Sequence, residues 1–245
     1  MRGRPDRLVA VVGTGTEVGK TWVTARLVGA LADAGHQVWA RKPAQSFDAS
    51  DDPASTDAAV LAEATGEVPS AVCPVHRWYP VAMAPPMAAA ALGLPSFTVT
   101  DLFDELSWPT SSPASDPGGA DPGRASVGLV ETAGGVRSPL ADDGDCISLL
   151  ELLAPDAVVL VADAGLGTIH SVRLCLDALS PASSGAGSSP GPRPLWASSV
   201  MVVLNRFDPA SRLHRANRRW LQERDGAHVL AVPGEEHRLV AAVTS

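Results

Sequence analysis

Lys20 and Thr21 close the run Val11-Val12-Gly13-Thr14-Gly15-Thr16-Glu17-Val18-Gly19-Lys20-Thr21, and phosphate binding is the chemistry they suit. A lysine there supplies a mobile positive charge for terminal phosphates, and the threonine hydroxyl can ligate a magnesium ion bridging them. The preceding loop aims backbone N–H groups and the positive end of a helix dipole at one anionic site. The usual spacing is glycine, four residues, then Gly-Lys-Ser/Thr. Counting back from Gly19 puts Thr14 at the first position, with Gly13 one residue further out. The loop is therefore either one residue longer than usual or bent differently at its entry.

Several side chains further along can join this chemistry. Lys42, in Arg41-Lys42-Pro43, is a candidate second positive charge over the phosphates; read locally, it is equally a solvated lysine at a strand end. Asp57 is either a carboxylate complementing a helix dipole or a metal ligand, and Asp48, Asp51 and Asp52 rival it by composition from a looser loop. Glu131 ends the apolar run Val127–Val130, where a carboxylate either reaches magnesium, directly or through water, or is a strand-end group hydrogen bonded to neighbouring loops. Thr132, Ala133 and Gly134 behind it include small residues that let backbone approach a nucleotide. Asn205, at the end of Val200–Leu204, carries the donor and acceptor needed to read an adenine edge. The turn Asp163-Ala164-Gly165-Leu166-Gly167-Thr168-Ile169-His170 offers backbone donors to a carboxylate. His76 has no evident partner and reads as a surface or structural histidine.

The elements that must position these residues alternate between short apolar runs and helical patterns. Leu8–Val12 reads as a strand, Trp22–Ala34 as a helix capped at Gly35, His36–Ala40 as a second strand and Thr56–Thr65 as a helix. Val72–Leu94 suggests a strand, a proline-bearing turn and an alanine-rich helix, and a short helix is expected over 101–106. Strands follow at 127–130, 157–162, 200–204 and 229–232, with helices at 146–153, 171–179, 212–224 and the C-terminus. The pattern predicts an α/β fold, doubly wound around a mainly parallel sheet flanked by helices, with ligands at the carboxyl ends of the strands. Residues 1–245 are expected to form one domain. Two stretches rich in Pro, Ser, Gly and Asp or Ala, 107–126 and 181–198, read as flexible loop insertions.

Composition narrows the function. Lysine plus arginine number 19 against 27 aspartates and glutamates, a net charge of -8, which argues against a nucleic-acid partner. Cys73, Cys146 and Cys175 are odd in number, widely spaced and without a Cys-x-x-Cys pair, so they read as core residues or free thiols of a reducing compartment. No apolar segment approaches the ~20 residues needed to span a bilayer. The basic start Met1–Arg7 runs directly into the first strand, so a cytoplasmic protein with no membrane partner is expected.

Taken together, Gly13–Thr21, Arg41-Lys42-Pro43 with Ser46, Ser55-Thr56-Asp57, Val130–Val136 and Leu166–Ile169 resemble dethiobiotin synthetase, in that family's order and over most of the chain as far as Asn205. The long first loop is itself a mark of this family. The resemblance implies a P-loop NTPase type of fold and ATP- and magnesium-dependent closure of 7,8-diaminopelargonic acid and carbon dioxide to dethiobiotin in biotin biosynthesis. One amine captures carbon dioxide as a carbamate, ATP phosphorylates it, and the second amine displaces phosphate to form the ureido ring. Carried over by position, Lys42 and Lys20 are the catalytic lysines, and Thr21, Asp57 and Glu131 are the magnesium set. Thr16, Glu17, Val18, Gly19, Lys20, Thr21, Trp22, Asp57, Glu131, Thr132, Ala133 and Gly134 fall to ATP, with Asn205, Arg206, Pro233, Gly234 and Glu235 toward its base. Thr16, Lys42 and Ser46 contact the diamine, and Leu166, Gly167, Thr168, Ile169 and His170 receive its carboxylate from the partner chain of a homodimer.

Three residues depart from the family pattern: Phe47 replaces a small glycine, Thr132 a glycine, and His170 an asparagine. They bear on substrate preference more than on reaction class. A partitioning-type switch ATPase shares the expected fold, but such proteins place a lysine where this chain has Gly15. Another ATP-dependent ligase of the same fold with a different substrate is the second alternative; the amidating enzymes of cobalamin synthesis need a glutaminase domain for which the chain has no room.

Overall fold

A computed structural model describes residues 3–109, 125–180 and 199–245. Its strands in chain order are β1 (Arg7–Gly13), β2 (Gln37–Arg41), β3 (Gln45–Ser46), β4 (Trp78–Tyr79), β5 (Ser126–Glu131), β6 (Pro139–Ala141), β7 (Gly144–Asp145), β8 (Ala157–Asp163), β9 (Val200–Asn205) and β10 (Val229–Ala231). The helices are α1 (Lys20–Asp33), α2 (Asp57–Thr65), α3 (Pro69–Val72), α4 (Pro85–Ala91), α5 (Val99–Glu105), α6 (Cys146–Leu153), α7 (Thr168–Leu179), α8 (Arg212–Glu223) and α9 (Glu236–Thr244).

Six strands form one all-parallel sheet in the order β10-β9-β8-β1-β5-β2, as the continuous apolar runs predict for strands covered on both faces. Alternate residues divide the core. Val9, Val11, Leu129, Val159 and Val203 face α1 and α9, whereas Ala10, Val12, Leu160 and Val202 face α6, α7 and α8. Each fully buried Val or Leu contributes about 1.5–3 kcal/mol of transfer free energy. The order brings β1, β5 and β2 side by side, so the loops after all three open at one edge.

Two expectations change in detail. The strand expected from Val72 is instead the end of α3, followed by a single 3₁₀ turn (Val75–Arg77) and the two-residue β4. Pro69 suits the first position of that helix, and Pro74, lacking an N–H, cannot extend a strand ladder. The helix expected from Ser171 begins at Thr168, because Gly167 takes a left-handed N-cap conformation with φ of 93°. Thr168, Ile169 and His170 thus form the first turn of α7 rather than a loop. Of the insertion expected over 107–126, residues 110–124 lie outside the described residues; Trp108 is buried against Gly128 and Arg41, and Ser126 already belongs to β5. The insertion at 181–198 lies wholly outside the described residues.

Candidate active site

The loop between β1 and α1 is built around two glycines. Gly19 has φ of 85°, in the left-handed region that glycine adopts without strain, and an added Cβ would collide with Nδ2 of Asn205. At Gly13 a Cβ would sit 2.9 Å from Cδ of Lys20, so this glycine makes room for the lysine stem. Lys20 opens α1, and its ammonium folds back to donate to the carbonyls of Gly15 at 3.0 Å and Gly134 at 2.7 Å. Burial, and secondarily the nearby charge of Lys42, lower its pKa from the ordinary lysine value.

Lys42 leaves the end of β2 and is buried, not solvated. Its ammonium lies 2.6 Å from Oδ2 of Asp57 and 2.8 Å from Oε1 of Glu131, and donates to the carbonyl of Thr132 at 3.3 Å. Burial alone would lower its pKa, but the two carboxylates outweigh burial and raise it above the ordinary value. Asp57 opens α2 behind the N-cap Thr56; burial opposes its ionisation, yet Lys42, together with the Thr21 hydroxyl and Lys20, holds its pKa below the usual carboxylate range. Asp57 thus sits at a helix N-terminus and is a member of the charged cluster. Thr21 Oγ1 lies 2.6 Å from Asp57 Oδ1 and 2.7 Å from Glu131 Oε1, although its one proton serves only one of them at a time. Thr24 Oγ1 donates to the other oxygen of Glu131 at 2.6 Å.

This cluster is the floor of a cavity of about 750 Å³. Thr16, Glu17, Gly19, Lys20, Thr21, Lys42, Ser46, Asp57, Ala133 and Gly134 all line it. Glu131 and Thr132 lie beneath its surface, fully buried, and Val18 packs against the core. The wall adds Gln45, Phe47, Ala82, Met83, Ala84, Pro85, Ser138 and Pro139, an apolar face opposite the charges. Phe47, singled out as a departure, is thus part of the site. Asp48 and Asp51 reach its rim, but their side chains are spent on their own loop: Asp48 accepts from Ser50 and Asp51 from Asp48 N. The carboxylate of Asp52 caps the 3₁₀ turn Pro53–Ser55.

The remaining expected residues do not line this cavity. Asn205 is buried behind the phosphate loop, its Nδ2 donating to Val18 O at 2.9 Å and its Oδ1 accepting from Arg206 N at 2.8 Å. Arg206 donates to Glu17 O and pairs with Asp163. Trp22 is half exposed beneath Arg26, and Pro233 and Gly234 are exposed beyond β10, where Glu235 accepts from Ala231 N. Leu166, Gly167 and His170 are exposed at the start of α7, with Thr168 buried and Ile169 partly so. Besides the apolar wall, two polar residues escaped the sequence reading. One is Thr24, and the other is Gln45, whose Oε1 accepts from Ala58 N at 2.8 Å and so fixes the N-terminus of α2 from inside the cavity wall.

Chemically, the floor offers two ammonium groups, two carboxylates and a hydroxyl converging at the mouth of a phosphate loop. Its anionic donors are all oxygens, as magnesium prefers, and two carboxylates with a hydroxyl leave the remaining positions for water and phosphate oxygens. The donor set therefore fits that ion.

A family model described as an AAA domain matches residues 7–241. The ATP-dependent dethiobiotin synthetase BioD of Haloferax mediterranei is 37% identical over 225 residues, covering 91% of this chain and 82% of that protein. BioD of Mycobacterium tuberculosis is 34% identical over 208 residues, covering 82% and 83%. Among solved structures, a ParA family ATPase from Chlorobium tepidum superimposes with a TM-score of 0.48 at 13% identity, over 98% of this chain and 89% of that one. With two such relatives more than 30% identical and aligned along most of their length, the chain belongs to the ATP-dependent dethiobiotin synthetase family.

Proposed function

We propose that the chain catalyses ATP-dependent carboxylation and ring closure of 7,8-diaminopelargonic acid to dethiobiotin, in biotin biosynthesis. It is a ligase that forms carbon–nitrogen bonds and uses ATP. The observation that carries the residue assignment is the convergence of Lys42, Asp57, Glu131 and Thr21 beside Lys20 in one cavity.

The chemistry brings two anions together, a carbamate oxygen and the γ-phosphorus of ATP. Positive charge fixed between them lowers the barrier, because such transfers depend on positioning and electrostatics more than on covalent help. Lys20 rests on two neutral carbonyls, which phosphate oxygens replace with stronger, charge-assisted bonds. Lys42 stays protonated through the working pH range and holds the carbamate oxygens toward the γ-phosphate. ADP leaves as the carbamic-phosphoric anhydride forms. The second amine then attacks the carbonyl carbon, phosphate departs, and the amine gives up a proton. Thr21, Asp57 and Glu131 would hold magnesium, which neutralises charge on the phosphate oxygens. The apolar wall of Phe47, Met83, Pro85 and Pro139 suits the hydrocarbon chain of the substrate, with Thr16 and Ser46 near its amines.

The nucleotide base extends past Glu17 toward Arg206, Pro233, Gly234 and Glu235, with Trp22 nearby and Asn205 bracing Val18 and Gly19 from beneath. Leu166, Gly167 and His170 are exposed and outside the cavity lining, which supports service of this turn to a partner subunit in a homodimer. Among the described residues no helix is long and apolar enough to cross a membrane, and the acidic charge disfavours nucleic acid. The test is phosphate release from ATP with magnesium and bicarbonate, with and without the diamine, following dethiobiotin by mass spectrometry. Diamine-dependent release matched by product is the expected result; ATP turnover indifferent to the diamine would overturn the proposal.

A further inference from the structure

We infer that Thr24 is a positioning residue that sets which oxygen Glu131 presents to the metal–nucleotide site. The inference rests on the ligase reading above and adds a residue to it. Thr24 lies in the buried stripe of α1 formed by Val23, Thr24, Leu27, Val28 and Leu31. Packing alone would be served by valine, which has the same branched shape; the hydroxyl is what needs a reason. Its Oγ1 sits 2.6 Å from Oε2 of Glu131 and 2.9 Å from the carbonyl of Lys20, one turn back along the helix. The hydroxyl has one proton for two acceptors, and the charge-assisted bond to a carboxylate is the stronger.

Glu131 is fully buried, so water cannot replace that donor. Among the described residues Thr24 is the hydrogen-bond donor on Oε2, whereas Oε1 receives Thr21 and Lys42. The tether therefore turns one oxygen toward α1 and the other toward the cavity floor. The terminal torsion of a glutamate is broad and resists rotation poorly by itself. Without the hydroxyl, both oxygens can turn to Lys42, tightening an ion pair that competes with the metal. Outer partners of metal ligands commonly influence affinity by about 10–100-fold.

The experiment measures ADP binding by calorimetry across a magnesium titration, without diamine, for the full chain carrying Thr24→Val or Thr24→Ser, with thermal melting beside it. Thr24→Val is expected to raise the magnesium concentration for half-maximal ADP binding about tenfold. Thr24→Ser, which keeps the hydroxyl and drops the methyl, should stay near wild type. A Thr24→Val chain with the wild-type magnesium midpoint, whatever its melting temperature, would show that Thr24 only packs. Equal shifts in Ser and Val variants would assign the effect to the lost methyl and overturn the inference as well. If Thr24→Val does not fold, Thr24→Ala is compared with Thr24→Ser, which differs from it by the hydroxyl alone: equal magnesium midpoints in the two refute the coupling. Wild-type ADP binding indifferent to magnesium would instead sink the magnesium reading of the site, and this inference with it.

Discussion

Replacing Lys42 by methionine keeps the unbranched stem of the side chain, one atom shorter, and removes its charge, so it separates the roles of this residue. The ammonium lies 2.6 Å from Asp57 and 2.8 Å from Glu131. Turnover should fall by about 10²–10³, the ~2.7–4 kcal/mol typical of one donor to developing charge. Stability should fall too, because removing one partner of a buried ion pair costs roughly 3–5 kcal/mol. The low end applies here: the Asp57 side chain is 38% exposed and can be rehydrated, and Glu131 keeps Thr21 and Thr24. At roughly 2–4 °C per kcal/mol for a chain of this size, the melting temperature should drop by about 6–12 °C. Magnesium should then recover more of that loss in the variant than it adds to wild type, since no ammonium competes for the carboxylates. The assays are dethiobiotin formation under saturating ATP and melting with and without magnesium. Turnover within tenfold of wild type would reduce Lys42 to a structural counter-ion, and an equal magnesium effect on both proteins would refute the competition.

Gly19→Ala should both strain the loop, by about 1–2 kcal/mol for a left-handed non-glycine residue, and push against Asn205. ADP affinity and melting temperature should fall together, and Asn205→Ala in the same chain should restore part of the melting temperature; no restoration would remove the Asn205 contact from the account. Elsewhere, burial raises the Glu105 pKa, but hydrogen bonds from Arg77 and His76 more than reverse this and hold it below the ordinary 4.5. A depressed carboxylate stabilises the fold above its unfolded pKa and loses that contribution as pH falls through the folded one. Melting temperature should therefore decline more steeply below pH 4.5 in wild type than in Glu105→Gln; parallel slopes would show that the Arg77–Glu105 pair carries no linkage.

Much of the fold is legible because its signals are local. Each strand of the central sheet is a short apolar run, and Gly35 and Gly66 follow α1 and α2 in the left-handed conformation that ends helices. The phosphate loop is local too. The cluster on the floor is not: Lys42, Asp57 and Glu131 meet because β2, β5 and β1 are neighbours, an order no short stretch encodes. Local reading left Lys42 as a solvated lysine or a catalyst, and family likeness, not spacing, joined it to the carboxylates. Thr24 was hidden for a different reason. On a buried helical face a threonine is indistinguishable from a core β-branched residue until its partner on β5 is known. Gln45 and the wall residues Ala82–Pro85 and Ser138–Pro139 depend likewise on contacts between distant segments.

The two lysines are anchored differently, and that difference bears on the chemistry. Lys20 is held by neutral carbonyls, Lys42 by carboxylates. Two ammonium groups and two carboxylates leave the floor electrically balanced, so neither lysine is a free cation awaiting any anion. Phosphate oxygens can draw Lys20 from its carbonyls directly, whereas Lys42 exchanges partners only when Asp57 and Glu131 are otherwise satisfied. On the proposed assignment, nucleotide phosphates are therefore expected to engage Lys20 more readily than a carbamate engages Lys42.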